Sequence, residues 1–414
     1  MKKTKLNVVI LGLHYAPEPS GNAPYTTSLA QGLTELGHSV HVLTGFPHYP
    51  AWSVPSEYKG WTIREKIDGV PVTRFRHHVP SRPTALSRLH MELSFGIRLL
   101  TARWGNPDVV IAVSPALFST GLAMLRARVG WKRPPVGIWV QDLYSRGIVE
   151  TGGRQGVFSK LALLVESHVL RSATGVVAIH DRFAEYVVHS LRAPAESVKV
   201  IRNWTHLPQA PKSDASATRL RLGWGADEVI VLHSGNMGKK QGLENVVEAA
   251  KHAEADGSAV KFVLMGDGNQ RESLVQKAGG TSRLSFVDSL PQEDFQAALH
   301  AADVLLVNEL PGVKDMSVPS KLTSYFTSGR PVIAATDPGS VTAHEIEASG
   351  AGLRVDAGDP RALIRAAESL AANPELAREL GANGLQFRNE TLSKTAAIAH
   401  YDDFILTLAE SRGR

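Results

Sequence analysis

The chain has 414 residues, 43% apolar and 21% charged, an ordinary globular composition too long for one core and sized for two domains of roughly 200 residues. No stretch approaches the ~18 apolar residues that span a bilayer, and the absence of cysteine excludes disulfides and Cys-ligated zinc or iron–sulfur centres. Net charge is +5, with ten Lys/Arg between Arg74 and Arg133 against only Glu92 and Asp108, a surface for phosphate or anionic lipid; no nucleic-acid module accompanies it.

The basic start MKKTK leads into a short apolar run without a cleavage site, so Lys5–Leu13 reads as a first strand and not as a secretion signal. Tyr25, Leu29, Leu33 and Leu36 give the next helix its apolar stripe, closed by Gly37. Strands follow at Ser39–Thr44, Val72–His77, Val109–Val113, Val136–Val140, Gly175–Ile179 and Val198–Ile201. Between them, Pro83–Trp104 carries Leu86, Leu89, Leu93, Ile97, Leu100 and Trp104 at helical spacing, flanked by Arg82, Arg88, Arg98 and Arg103. Such a basic amphipathic helix (82–104) either packs on a core or lies on a membrane surface. Leu207–Ala217, rich in Pro, Ser and Ala, marks a linker. A second strand–helix series runs through Val229–Leu232, Lys261–Met265, Leu284–Val287, Val304–Val307, Val332–Ala335 and Leu353–Val355, and Thr391–Leu408 is helical. The alternation predicts an α/β chain of two doubly wound domains, residues 1–206 and 218–390, joined by 207–217 and followed by a helical 391–414.

Chemistry in such a fold gathers in loops after strands. The first, His14–Asn22, lacks the G-x-G-x-x-G of dinucleotide sites, but Gly21-Asn22 ahead of a helix lets backbone approach a ligand; His14 and Glu18 share the loop. Gln141-Asp142-Leu143-Tyr144 ends an apolar strand, where the Asp142 carboxylate needs a partner or a task. In the second half, His233–Gly242 sets Gly235, Asn236, Lys239 and Lys240 after a buried strand, a composition suited to a pyrophosphate. Gly266, Gly268 and Arg271 follow the next strand. Val318–Thr336 reads as a helix, with Ser320 as its cap and Lys321 in its first turn, stopped at Ser328-Gly329 and followed by a buried strand.

The order of these elements, from H-Y-x-P-E and Q-D-L-Y through G-N-x-G-x-x-Q-G to P-S-K-L and G-R-P-V-I-A, resembles the GT4 type of retaining glycosyltransferase with the GT-B fold. It is similar to the branch that builds surface polysaccharide, including colanic-acid and fucosamine-transferase-like enzymes. The resemblance implies two Rossmann-like domains facing a cleft, with a terminal helix crossing back to the first. It implies transfer of a hexosyl residue from a nucleoside diphosphate sugar, expected here to be UDP-linked, to a lipid-linked saccharide at the inner membrane face, in the cytoplasm. Catalytic roles would fall to Asp142, Lys240 and Lys321. Donor contacts would come from Gly21, Asn22, Gly235, Asn236, Lys239, Gly266, Gly268, Arg271, Asp315, Ser320, Leu322 and Ser324, with His14 and Glu18 orienting the acceptor. No convincing D-x-D motif is present, so neither metal nor cofactor is expected. The family's pair of glutamates is replaced by Met316 and Ser324, and the loop's Arg and Lys by Asn236 and Gln241. Those departures keep a non-catalytic GT-B partner and a nucleotide-sugar 2-epimerase as alternatives.

Overall fold

The computed structural model describes residues 4–19, 21–81, 84–129, 132–145, 157–205, 214–313 and 320–411. The expectations for Arg82, Asp315, Met316 and the Ser320 side chain, and most of the 207–217 linker, lie outside them. The chain divides into two compact units, residues 1–206 with 394–414, and 207–393.

The first unit is built on an eight-stranded sheet: β1 (Asn7–Gly12), β2 (Ser39–Gly45), β3 (Thr62–Ile67), β4 (Val70–Phe75), β5 (Val109–Val113), β6 (Val136–Val140), β7 (Gly175–Ala178) and β8 (Val198–Val200). Their order is β3-β4-β2-β1-β5-β6-β7-β8, parallel except for the β3–β4 hairpin. The inner strands are continuous Val/Ile runs because helices cover both faces. The hairpin was not expected. It turns at Asp68-Gly69, both at positive φ (47° and 85°), as a two-residue turn between right-twisted strands requires.

Helix Lys394–Glu410 belongs to this unit. Phe404 and Leu408 lie where Cβ atoms on Gly137 (β6) and Gly175 (β7) would stand about 2.8 Å from their rings and methyls, so only glycine admits the helix so close to the strands. Tyr401 adds a ring contact with Trp139 (5.0 Å between centroids), and the buried Asp402 accepts from His38 Nε2 at 2.7 Å.

The second unit holds a six-stranded, wholly parallel sheet: β9 (Val229–Ser234), β10 (Val260–Met265), β11 (Leu284–Val287), β12 (Val304–Asn308), β13 (Val332–Ala335) and β14 (Gly352–Val355), in the order β11-β10-β9-β12-β13-β14. Separate apolar clusters fill its two faces. In each sheet the strand order reverses beside the first strand of the series, between β1 and β5 and between β9 and β12, where loops diverge and leave a crevice.

Two sequence expectations need correction. Leu36 caps its helix in an exposed position, so the buried stripe of Ala23–Glu35 is Tyr25, Leu29 and Leu33. Helix Ala85–Thr101 buries Met91, Phe95 and Leu99, so the expected stripe is split: Leu86 (73% exposed), Leu93 and Ile97 (56%) face solvent, Leu89 and Leu100 are half-buried, and Trp104, beyond the helix, is buried. Both sets have helical spacing, and the buried Glu92 disguised the true core face. The basic surface is also smaller than counted. Arg74 is fully buried, paired with Glu65 and donating to the Ala16 carbonyl, and Arg126 donates to the carbonyls of Leu99 and Leu100 at 2.7 and 2.6 Å.

Candidate active site

In the second unit, the loop after β9 lies against the loop after β10. Met237 N–H donates to Asp267 O at 2.8 Å, and Gln270 N–H to Met237 O at 3.0 Å. A Cβ on Gly268 would stand 2.5 Å from Met237 O, and one on Gly266 would collide with the Gly235 carbonyl. These two glycines therefore serve the close approach of two backbones. Arg271 is tied to Asp288 at 2.6 Å. Asn308, at the end of β12, holds the same loop from the other side, donating to the carbonyls of Gln241 (2.7 Å) and Gly242 (3.0 Å) while accepting from Asn245 (2.9 Å). The Gln241 that replaces a lysine accepts the Gly238 N–H at 3.1 Å and closes the turn. Gly235 and Asn236 are left exposed, Lys239 is exposed and Lys240 half-buried.

Below this loop sits Lys321, second residue of the short helix Ser320–Tyr325. Gly235, at φ +105°, leaves room for it: a Cβ there would be 3.4 Å from Lys321 Cε. Lys321 Nζ donates to His233 Nε2 at 2.9 Å, and His233 Nδ1–H donates to the Leu306 carbonyl at 3.2 Å, which fixes the tautomer. Burial pushes the Lys321 amine down to about 7, with the Glu309 carboxylate opposing it. Burial, then Lys321, holds the His233 imidazole well below its usual range, so it stays neutral. Burial raises the Glu309 carboxyl, although Thr336 and Thr342 donate to it. The site is a buried amine, poised between its neutral and charged forms near pH 7, beneath an exposed glycine turn. Tyr325 OH completes the floor, accepting from Ser234 N–H at 2.9 Å and donating to Leu306 O at 3.2 Å. Leu322 lies in the core, and Ser324 is buried with its carbonyl accepting from Thr327.

In the first unit, Asn22 donates to Ser114 O at 3.1 Å across the β1–β5 crevice, and its buried Oδ1 has no hydrogen-bond partner. Gly21 turns at φ +67° beside the Tyr49 ring. Glu18 is buried. One oxygen accepts the N–H groups of His48 (2.8 Å) and Tyr49 (2.9 Å), the other His14 Nδ1–H (2.7 Å). Burial pushes that carboxyl up, but the hydrogen bonds from His14, His48 and Tyr49 outweigh it, and it stays ionised. Asp142 ends β6, accepting the Leu143 N–H at 2.8 Å while its carbonyl takes the Ser114 hydroxyl at 2.9 Å. Gln141 and Asn203 pair through both amides, at 3.2 and 2.8 Å, which gives the Gln141 side chain a structural partner. Glu166 is a buried turn holder, accepting from Tyr144 and Ser145 N–H at 2.7 and 3.1 Å. Glu92 accepts the Phe118 N–H at 2.8 Å, and burial lifts its carboxyl to about 8.

The structure thus gathers Gly235, Asn236, Gly266, Gly268 and Lys321 at one crevice and His14, Glu18, Gly21, Asn22 and Asp142 around another. Asn308, Glu309 and His48 were not foreseen, although a polar residue closing an all-apolar strand was a readable signal for Asn308.

Residues 20–204 match the glycosyl transferase 4-like domain, and residues 215–387 match the glycosyl transferases group 1 domain. A protein of Escherichia coli strain K12, WcaI, which carries the provisional name of a colanic acid biosynthesis glycosyl transferase, is 30% identical over 78% of this chain and 82% of its own. Among solved structures, sucrose-phosphate synthase from Thermosynechococcus elongatus superposes with a TM-score of 0.74 at 18% identity, covering 98% of this chain and 100% of that one. HepE of Anabaena, solved in complex with UDP, gives 0.72 at 15% identity over 97% and 100% of the two chains. The shared architecture is GT-B.

Proposed function

Because the chain belongs to the family of 4-like and group 1 glycosyl transferases and is an enzyme of nucleoside diphosphate sugars, we propose that it moves a hexosyl residue from a UDP-sugar, with retention, to a lipid-linked saccharide in surface polysaccharide synthesis. The observation that carries this is Lys321, an amine buried under Gly235 at the β9–β12 crevice, 2.9 Å from the neutral His233 Nε2 and held down to about 7 by burial despite Glu309. A diphosphate seated on the Gly235–Asn236 turn supplies an anion for it, and Lys239 and Lys240 stand along the same loop for its outer oxygens. The uridine preference is supported by the UDP held by HepE.

In the reaction so proposed, the acceptor hydroxyl attacks the anomeric carbon from the face the diphosphate leaves. The anomeric C–O bond breaks, the new glycosidic bond forms, and the departing phosphate oxygen takes the hydroxyl proton. Lys321, with Lys240, stabilises the charge growing on the leaving oxygen, and no covalent nucleophile is needed. Asn22 Oδ1, His14 and Asp142 orient the acceptor or sugar hydroxyls from the first unit. The exposed Leu86, Leu93 and Ile97, with Arg88 and Arg98 on the same helix, are the surface by which the enzyme reaches an acceptor anchored in an anionic membrane.

The test is thermal stability and product formation with UDP-, GDP- and dTDP-sugars for the wild type and Lys321→Met. A true donor at 100 times its Kd raises stability by about 2.7 kcal/mol. A response to the UDP series that the variant loses supports the reading. A response to another series overturns the uridine assignment, and an equal response in the variant overturns the role of Lys321.

A further inference from the structure

We propose that His14, Glu18 and His48 form a binding site for a divalent transition-metal ion, Zn2+ by the chemistry of the donors, which ties the loop after β1 to the loop after β2. Each of the three offers a ligand atom within 4.8 Å of the others, and the cluster is half-buried at His14 and buried at Glu18 and His48. Two imidazoles and one carboxylate make up the three-ligand set that such ions take, with a further position left for water.

The carboxylate is already held as a ligating carboxylate is. Glu18 Oε1 is fixed by two backbone N–H groups, at 2.8 and 2.9 Å, which leaves Oε2 to face His14. The Nδ1···Oε2 separation of 2.7 Å has to open by about 0.6 Å to reach the roughly 3.3 Å between two donors sharing a tetrahedral ion with bonds of about 2 Å, a shift within reach of the half-buried His14 side chain. An ion entering there displaces the His14 Nδ1 proton to solvent and leaves the fold in place.

His48 supplies the second observation. The residue is 2% exposed; its Nδ1–H donates to the Phe46 carbonyl at 3.0 Å and lies 3.6 Å from Glu18 Oε1, and its buried Nε2, on the far side of the same ring, has no hydrogen-bond partner. Metal-binding histidines commonly donate one ring N–H to a backbone carbonyl so that the other nitrogen keeps its lone pair for the ion. An unsatisfied buried nitrogen otherwise costs free energy and calls for a partner. Next to it, His77 repeats the arrangement: ring centroid 5.0 Å from His48, Nδ1–H on the Phe75 carbonyl at 3.3 Å, Nε2 buried and unpartnered. Gly45 makes space for that ring, since a Cβ there would be 2.6 Å from His77 Cε1.

The ion would join His14–Glu18 to Phe46–Tyr49 and so stiffen the turn that carries Gly21 and Asn22. It takes no part in bond making.

The experiment strips the full-length protein with EDTA and titrates it with Zn2+ by calorimetry, then substitutes Co2+ and records its visible d–d absorption. One ion per chain, a rise in melting temperature on binding, and at least tenfold weaker binding in His14→Gln and in His48→Gln are expected. The stacked surface pair His78 and His90 (4.2 Å) is the control: His78→Gln/His90→Gln should bind as the wild type does. His14→Gln, on the more exposed ligand, guards against a folding defect at His48, and circular dichroism checks both. No saturable binding, binding unchanged in His14→Gln, or binding lost only in the surface pair overturns the site.

Discussion

Lys321 makes the proposed donor site sensitive to pH in a way that can be worked out from the structure. In the free protein its amine is held at about 7 by burial. A diphosphate beside it favours the charged form, so binding takes up a proton whenever the free amine is neutral. Below pH 7 the ammonium is already present and affinity is flat. Above it, each pH unit weakens binding by about tenfold, or about 1.4 kcal/mol, until the amine of the complex itself titrates. Between pH 7 and 9 the loss amounts to about fiftyfold. The assay is calorimetry of a nucleotide sugar, whose diphosphate diester has no proton of its own to exchange in this range, in two buffers of different ionisation enthalpy. About half a proton should be taken up at pH 7 and about one at pH 9. Lys321→Met should bind more weakly at pH 7, with no slope. A wild-type affinity that stays flat from pH 6 to 9, or a slope that survives in Lys321→Met, refutes the reasoning.

Gly268→Ala drives a methyl to 2.5 Å from Met237 O, so unfolding free energy should fall by about 1–3 kcal/mol, measured by thermal melting, and donor affinity should fall with it. Asn308→Leu leaves the Gln241 and Gly242 carbonyls without their donor; a loss of about 1–3 kcal/mol in denaturant unfolding is expected. Glu92 has its carboxyl raised to about 8 by burial, so between about pH 4.5 and 8 the folded chain binds a proton that the unfolded chain does not. Stability from this group therefore falls as pH rises through that window, and Glu92→Gln, which keeps the acceptor for Phe118 N–H, should flatten that part of the melting-temperature profile. Leu93→Glu with Ile97→Glu should lower sedimentation with anionic vesicles several-fold while melting temperature changes little, because both side chains face solvent.

The strands were legible because parallel strands covered on both faces are unbroken apolar runs, and thirteen of the fourteen among the described residues had their place in the expectation. The missing one, β3, alternates exposed and half-buried residues through Thr62–Ile67, and Asp68-Gly69 announced its hairpin. Helix Ala85–Thr101 shows where periodicity runs out. Two stripes of equal spacing compete on it, and the buried Glu92 lies on the face that packs. Local glycine patterns flagged the right loops, but their reasons differ. Gly266 and Gly268 answer to the neighbouring backbone, a contact between distant segments that no local pattern encodes. Asn308, Glu309 and His48 act through partners tens of residues away, and the pairing of Gln141 with Asn203 spans 62 residues.

The docking of Lys394–Glu410 on β6 and β7 has a consequence for how the protein is made. The faces of Gly137 and Gly175 and the ring of Trp139 are covered by a segment that leaves the ribosome only after Leu207–Ser393, roughly 190 residues later. At about 5–20 residues per second, that is a wait of some 10–40 s during which a nearly complete sheet presents bare glycine strands to the cell. Translation speed through the second unit and chaperone supply should therefore govern the yield of the first. Cutting the gene at the linker would give an aggregating fragment, and a synthetic 394–414 peptide should rescue it.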